Sequence, residues 1–591
     1  MTNQIRMVRI LAADIGSTAT HVCLLDNIEG RYRLVARGDA LTTASNVDQG
    51  VMAGLIQAMR QIERAVQYPL LDTHDELISL DPRDGVIPIT FCATLSSASS
   101  LRVLILGISS AFSIPSARRA CLLPVVELAG ALELDLAQPG DNAYWTNLYH
   151  LYPEAIVLVG GFDDAPAKPL EIGARRLLSL YGKTSRDQRP IVIFAGNRAA
   201  VPDLTQILAS SFDFRYVMNI RPNPDAERLG DLRRELVHIY EQTKLSQLSG
   251  YKRLLGWCTN PPQATCRALE NLFRFLARQA EPDRVVMGID VGASNTLVFS
   301  QAGATTPTLF GIREGSGYYS GANNDAIRRW LPVAITNEDA LLRALCDPSL
   351  PTSLPLDMPG SLAALGAAHE AILGSIISWQ DISDSGDPAV LRNIDHLYAR
   401  GEVLIHAGDK ALGLLTLLDT LQPVGITQVI LDWAEIWPQL GIVAAVAPQA
   451  AVEVLEQDGL SLLGTIIAPT GSAANQGHAL HLTITRANGQ CERHIIPGGV
   501  VKRFVFPKDE ILTIKVQAGP RWDLGYGRGR TIEVTVRSGE LGVIIDTRGR
   551  PLAYSKVGLL WRTRVDSDIQ TLTSTMRLMY PQSTIKRGQQ T

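Results

Sequence analysis

The sequence predicts a duplicated α/β fold, in which two related lobes carry an inserted, doubly wound α/β domain and a β-rich C-terminal domain. Three observations predict it. Residues 11–26, LAADIGSTATHVCLLD, and residues 284–315, RVVMGIDVGASNTLVFSQAGATTPTLFGIREG, share one order of features: an apolar strand ending in Asp, a small polar turn and a second strand. Each continues through a Gly-containing turn into a third strand, so a β-β-β unit opening with D-x-G occurs twice. Between the two units, residues 86–225 alternate apolar runs with helical periodicity, and strand patterns dominate from residue 460 onwards.

Each turn has the makings of a phosphate site. Gly16 has no Cβ, so its backbone can come close to a phosphate oxygen, and Ser17 and Thr18 add amide and hydroxyl donors. Gly292, Ser294, Asn295 and Thr296 are their counterparts in the second unit. Asp14 and Asp290, at the strand ends, are the carboxylates that would hold a hydrated Mg²⁺ against the phosphate. A single D-x-G-S-T also occurs in ordinary hairpins, and it is the second copy that points to two turns facing each other across a nucleotide. This pair of hairpins resembles the actin, Hsp70 and sugar-kinase superfamily of ATPases, with ribonuclease H-like lobes. The resemblance implies ATP or ADP with Mg²⁺ as the ligand.

Composition bounds the alternatives. A chain of 591 residues, 46% hydrophobic and 19% charged, has room for three or four compact domains. With 55 Lys+Arg against 59 Asp+Glu the net charge is -4, which argues against nucleic acid as a partner. Seven scattered cysteines without a C-x-x-C pair suit a reduced, cytoplasmic protein rather than a zinc or disulfide framework. The N-terminus reaches Asp14 before a signal-peptide core forms. No apolar run approaches ~18 residues without a charge or turn former, so neither export nor a membrane span is expected.

Taken in order, residues 32–40 form the third strand of the first unit. Val51, Leu55, Met59, Ile62 and Val66 then recur at helical spacing, with Asn46 or Asp48 as N-cap. Asp72-Thr73-His74 opens like a cobalt-ligating D-x-H-x-x-G motif, but Leu77 stands where its Gly is required, so direct cobalamin binding is not expected. Residues 87–92, 102–107, 155–159, 191–195 and 216–220 read as buried strands, and 116–132, 170–181 and 201–210 as helices. Gly160, Gly161 and Asp163, with Asp164, form the most ligand-like of the strand-end loops. Gly182-Lys183-Thr184 follows a helix and has Leu177 in place of the first P-loop Gly, so it is no phosphate loop.

Helical stretches are expected at 323–330, 337–345 and 361–375. A strand is then expected to end at His406, followed by a turn at Gly408 and Asp409 that would receive the adenosine, as such turns do in the superfamily. Helices at 441–446 and 451–457 and the C-terminal strands complete the chain. The expected boundaries are 1–84 for the first lobe, 85–230 for the inserted domain, 231–282 for a helical connection, 283–460 for the second lobe and 461–591 for the β-rich domain.

With these stretches in view, the chain resembles the glutamate mutase accessory protein family, the MutL-like proteins associated with adenosylcobalamin-dependent methylaspartate mutase. The resemblance rests on ADIGSTATHV (13–22), TTASNVDQGVMAGL (42–55), PEAIVLVGGFDDA (153–165) and IVIFAGN (191–197), and continues through GIDVGASNTLVFS (288–300), LIHAGD (404–409) and LLGTIIAPTG (462–471). It implies a chaperone-like partner that assists or reactivates a cobalamin mutase. The chain departs from the family pattern at His21, where Lys is common, and at Leu297, where an Asp is expected. Loss of that carboxylate argues against efficient hydrolysis, because phosphoryl transfer depends on positioning and charge. Two alternatives follow: a non-catalytic scaffold that has kept the fold, and a small-molecule kinase with Asp48, Asp163 or Asp164 as its base.

Overall fold

The computed structural model describes residues 8–46, 48–78, 89–134, 149–163, 168–303, 305, 307–316, 326–327, 330, 358–382, 393–406, 409–472 and 477–552. In the first lobe β1 (Arg9–Ile15), β2 (Ala19–Ile28) and β3 (Arg31–Leu41) form two antiparallel hairpins. Helix α1 (Gly50–Val66) buries Val51, Leu55, Met59 and Ile62 at the expected spacing. It packs on β3 where Gly38 leaves room, since a Cβ there would lie 2.0 Å from the Ala58 carbonyl oxygen.

The strand expected to open the inserted domain is instead β4 (Ile89–Leu95), which pairs parallel with β1 in the first sheet. The insertion begins after it. There β5 (Leu101–Gly107), β6 (Val126–Glu133), β7 (Ala155–Val159), β8 (Ile191–Phe194) and β9 (Phe214–Tyr216) form a parallel sheet in the order β6-β5-β7-β8-β9. Its helices are α2 (Ser113–Cys121), α3 (Lys168–Tyr181) and α4 (Val201–Leu208). The helix expected over 116–132 therefore stops at Cys121, and after a turn the stretch from Val126 becomes β6.

The chain then returns to the first lobe. Helices α5 (Gly230–Thr243) and α6 (Tyr251–Trp257) lead into β10 (Gln263–Ala264), which pairs parallel with β4, and α7 (Thr265–Gln279) follows directly. The expected helical connection thus supplies the fifth strand of the first sheet, whose order is β10-β4-β1-β2-β3.

The second lobe repeats this plan. β11 (Val285–Val291), β12 (Thr296–Ala302) and β13 (Thr308–Ile312) make the hairpins, α8 (Met358–Ile382) follows, and β14 (His396–Arg400) pairs parallel with β11. Residues 402–406, read as a strand end, are a short helix α9 (Glu402–His406), followed by α10 (Lys410–Leu421) and β15 (Gly425–Leu431). The strand order β13-β12-β11-β14-β15 matches that of the first sheet strand for strand, which is the actin-like duplication.

Helices α11 (Trp437–Val443) and α12 (Pro448–Val454) cross back and pack on β1, β4 and β3 of the first lobe. Trp437 meets Phe273 of α7 edge-on in the shared core. β16 (Ser461–Ala468) pairs with β15, so part of the expected C-terminal domain extends the second sheet. The short β17 (Gly471–Ser472) precedes β18 (His478–Arg486), β19 (Cys491–Pro497), β20 (Val501–Phe504), β21 (Ile511–Ala518) and β22 (Thr531–Arg537). β23 (Val543–Asp546) and β20 join the eight-stranded second sheet, β24 (Gly549–Arg550) pairs with β17, and β19-β18-β21-β22 form a separate four-stranded sheet that shares a core with Ile467, Phe504, Val543 and Ile545 of the second sheet.

Of the helices expected at 323–330 and 337–345, nearly all lies outside the described residues, as does the loop at 348–359 apart from the start of α8. Among the described residues one helical span, Ser361–Asp381, is long and apolar enough to cross a membrane by length and composition, and 72% of its apolar window is buried inside the fold.

Candidate functional site

The two D-x-G turns face each other. Between β1 and β2 the Gly16 amide donates to the Ala19 carbonyl at 2.8 Å, and between β11 and β12 the Gly292 amide donates to the Asn295 carbonyl at 2.9 Å. Both glycine N–H groups, expected to reach a phosphate, are therefore used to close their own turns. Gly16 is still required, because a Cβ at that position would lie 2.8 Å from the Ala19 oxygen. At the tips the Ser294 hydroxyl donates to the Ser17 hydroxyl at 2.8 Å, so the lobes touch there.

The other expected phosphate ligands divide. The Thr18 carbonyl accepts from the Thr42 amide, and Asn295 lies partly exposed in the second turn. Thr296 is fully buried and donates to the Glu314 carbonyl at 2.8 Å, so it braces the hairpin from inside. Leu297 is 2% exposed and sits in the core with Phe273 and Phe299, so its side chain belongs to the packing of the hairpin.

Behind the turns, Asp14 and Asp290 share a partner that the sequence reading missed. Arg400, the last residue of β14, lies at the register position beside Asp290. Its Nη1 donates to Asp290 Oδ1 and its Nη2 to Asp14 Oδ2, each at 2.8 Å, while Nε lies 3.4 Å from Asp432 Oδ2. Asp14 Oδ1 accepts from the hydroxyls of Thr94 at 2.8 Å and Thr265 at 2.9 Å. Burial alone would lower the Arg400 pKa, but the charges of Asp290, Asp14 and Asp432 outweigh it and raise it, so the guanidinium stays charged. Burial pushes Asp432 up to about 7, against the pull of Arg400 and of the Trp437 and Ile436 amides.

These residues do not fit a hydrated Mg²⁺. That ion prefers octahedral oxygen ligands with water between, and here a guanidinium fork fills the space between the two carboxylates. Among the described residues no group of three or more His, Cys, Asp or Glu could hold a metal ion. The cue available in the sequence is only the dipeptide Arg400-Gly401; the structure shows why the glycine is there, since its φ is +141° and a Cβ would lie 2.4 Å from the Val291 carbonyl oxygen. Only strand register shows that this arginine meets Asp290.

A second ionic contact crosses between the lobes. His21 of β2 is 6% exposed, with Nδ1 2.6 Å from Asp39 and Nε2 3.3 Å from Glu402 of the second lobe. Burial would depress its pKa, but the bonds to Asp39 and Glu402 overcome that and raise it to about 9. Beside it, Arg37 donates to the Ala434 carbonyl at 2.7 Å and pairs with Glu435, which also accepts from His406. In the sequence His21 stands out only as a departure from a family Lys.

The remaining expected residues lie elsewhere. Gly408 is outside the described residues, and the Asp409 carboxylate caps α10 by accepting from the Ala411 amide at 2.8 Å. Gly160 and Gly161, with φ of +136° and +74°, and Asp163 lie in the loop that follows β7 of the inserted sheet. There Asn219 Nδ2 donates to the Gly161 carbonyl at 3.0 Å and to Asp163 at 2.9 Å, tying the loop into its own domain. Asp163 thus has a local partner as a would-be kinase base, and Asp164 is outside the described residues.

No curated protein matches the chain. Among solved structures it is similar to nucleotide-free acetone carboxylase, at 12% identity and a TM-score of 0.33, covering 84% of this chain and 82% of that one. It is similar to a diol dehydratase-reactivating factor in nucleotide-free form, at 11% identity and a TM-score of 0.30, covering 74% and 100%. A third is the ethanolamine utilization protein EutJ from Carboxydothermus hydrogenoformans, at 9% identity and a TM-score of 0.26, covering 73% and 88%. Likenesses at these scores add nothing to the fold assignment, which rests on the repeated strand order. A model of the family described as MutL protein matches residues 10–314, more than half of the chain. The chain belongs to that family, the glutamate mutase accessory proteins.

Proposed function

We propose that this protein assists or reactivates an adenosylcobalamin-dependent mutase, and that a nucleotide bound between its two phosphate turns changes how the lobes meet. Family membership supports the accessory role. The observation that carries the nucleotide part is the contact between Ser17 and Ser294, which sets the tips of two D-x-G hairpins against each other at 2.8 Å. A ligand entering there must part the tips, and its phosphates would meet the hydroxyls of Ser17, Thr18 and Ser294. Parting or joining of lobes by a ligand held between hairpins is a hinge motion, and it would change the surface offered to the mutase.

The test is calorimetric titration of the full chain with ATP and ADP, beside a Ser17→Glu, Ser294→Glu variant whose added charges repel phosphate at exposed or half-exposed positions. Binding by the parent and its loss in the variant are expected, with capture of a purified adenosylcobalamin-dependent mutase changing when nucleotide is added. No binding at millimolar nucleotide would end the nucleotide part of this reading.

One observation favours a second reading, a scaffold that has kept the fold without nucleotide chemistry. The two carboxylates already have a cation in Arg400. On that reading mutase capture is the same with and without nucleotide.

A further inference from the structure

We propose that Arg400 is a built-in cation that fastens the two lobes together at the D-x-G carboxylates, so that the touching arrangement of the phosphate turns needs no divalent metal. This goes beyond the nucleotide reading and holds whether or not a nucleotide binds.

The geometry is that of a two-sided clamp. Asp290 and Arg400 lie on adjacent strands of the second lobe, and Asp14 lies on the first, so the Arg400–Asp14 bond is the one that crosses. A planar fork can donate to two carboxylates at once, which a point charge such as lysine cannot do with the same directionality. Asp14 is 3% exposed and both of its oxygens are engaged, one by Arg400 and the other by Thr94 and Thr265. An ion approaching these carboxylates must first displace the guanidinium.

The fold itself does not require an arginine at this place. Asp14 faces Thr94 on β4 at the register position where Asp290 faces Arg400 on β14. A threonine therefore satisfies the same topology in the first lobe. The arginine adds a reach across to the other lobe. Without it, Asp14 and Asp290 would face each other buried and uncompensated, with Asp432 nearby, and the cheapest relief is for the lobes to part.

The test replaces Ser17 and Ser294 with cysteine in the full chain, with no nucleotide present. Diamide-driven formation of the 17–294 disulfide, read by peptide mass spectrometry, then reports how often the turns touch. The cross-link is expected to form at the same rate in EDTA and in millimolar Mg²⁺. Adding Arg400→Gln should slow it by about tenfold or more in both, because a buried pair has lost one partner. Asp14→Asn, nearly the same in shape, serves as the second variant should Arg400→Gln fail to fold, and it should slow the reaction in the same direction.

A cross-link in the parent pair that slows about tenfold on chelation and recovers with Mg²⁺ would overturn the proposal. So would an Arg400→Gln or Asp14→Asn rate equal to the parent's, or no cross-link under any condition. Failure of the nucleotide reading appears only in the titration described above, so the two failures are distinguishable.

Discussion

The two lobes share strand order, D-x-G hairpins and a parallel fourth strand, yet differ in what stands beside the aspartate. In the first lobe Asp14 meets the neutral hydroxyl of Thr94; in the second Asp290 meets the guanidinium of Arg400. The hydroxyl supplies one hydrogen bond within its own lobe. The guanidinium supplies charge, and it reaches both lobes. A duplicated fold can thus hold its architecture through matched apolar strands while its two halves diverge at a register position, and there the second lobe gains a charged contact to the first.

The largest expected effect comes from breaking the charged side of this comparison. Arg400→Gln should destabilise the protein by about 3–5 kcal/mol, the usual consequence of leaving buried carboxylates without their partner, measured by urea unfolding. A loss below about 1 kcal/mol would mean that the clamp contributes little.

Next is the first lobe's own ionic reach, His21 to Glu402. Its pKa is raised from 6.5 to about 9, so its contribution is fully present below pH 6.5 and is lost as pH rises through 9. Stability should fall by up to about 3 kcal/mol across that window. His21→Gln should flatten the profile there, and an unchanged slope in that variant would assign the pH dependence to other groups.

The smallest effect sharpens the neutral side. Thr94→Val keeps the shape and removes one donor to Asp14, at an expected cost of about 1 kcal/mol. If it costs as much as Arg400→Gln, the two lobes are not distinguished in the way described.

Much of this was legible in the sequence, and what was not shares one cause. The D-x-G hairpins, α1 and the parallel strands of the insertion were readable because their signals are local: an alternating or continuous apolar run, a turn former, a helical spacing. Residues 404–406 look like a strand end because a short apolar run fits either state, and here Glu402–His406 is a helix. Residues 87–92 read as a strand of the insertion because nothing within the run says that the partner of β4 is Arg9–Ile15. Arg400 was missed for the same reason, since its carboxylate partners lie 110 and 386 residues away in the chain. Thr296 reads as a phosphate ligand because it is a hydroxyl residue in the second turn, whereas the structure makes it the first residue of β12 and bonds its hydroxyl to the Glu314 carbonyl.

The return of α11 and α12 to the first lobe also bears on how this protein is made. The hairpins and β4 are finished by Leu95, yet the helices that pack on β1, β3 and β4 end only at Val454, and the fifth strand waits for residue 264. At synthesis rates of ~5–20 residues per second, the first sheet stands without part of its covering for a time on the order of tens of seconds. During that interval the nascent chain displays a strongly apolar sheet. Apolar surface left open for that long is an aggregation hazard for the nascent chain.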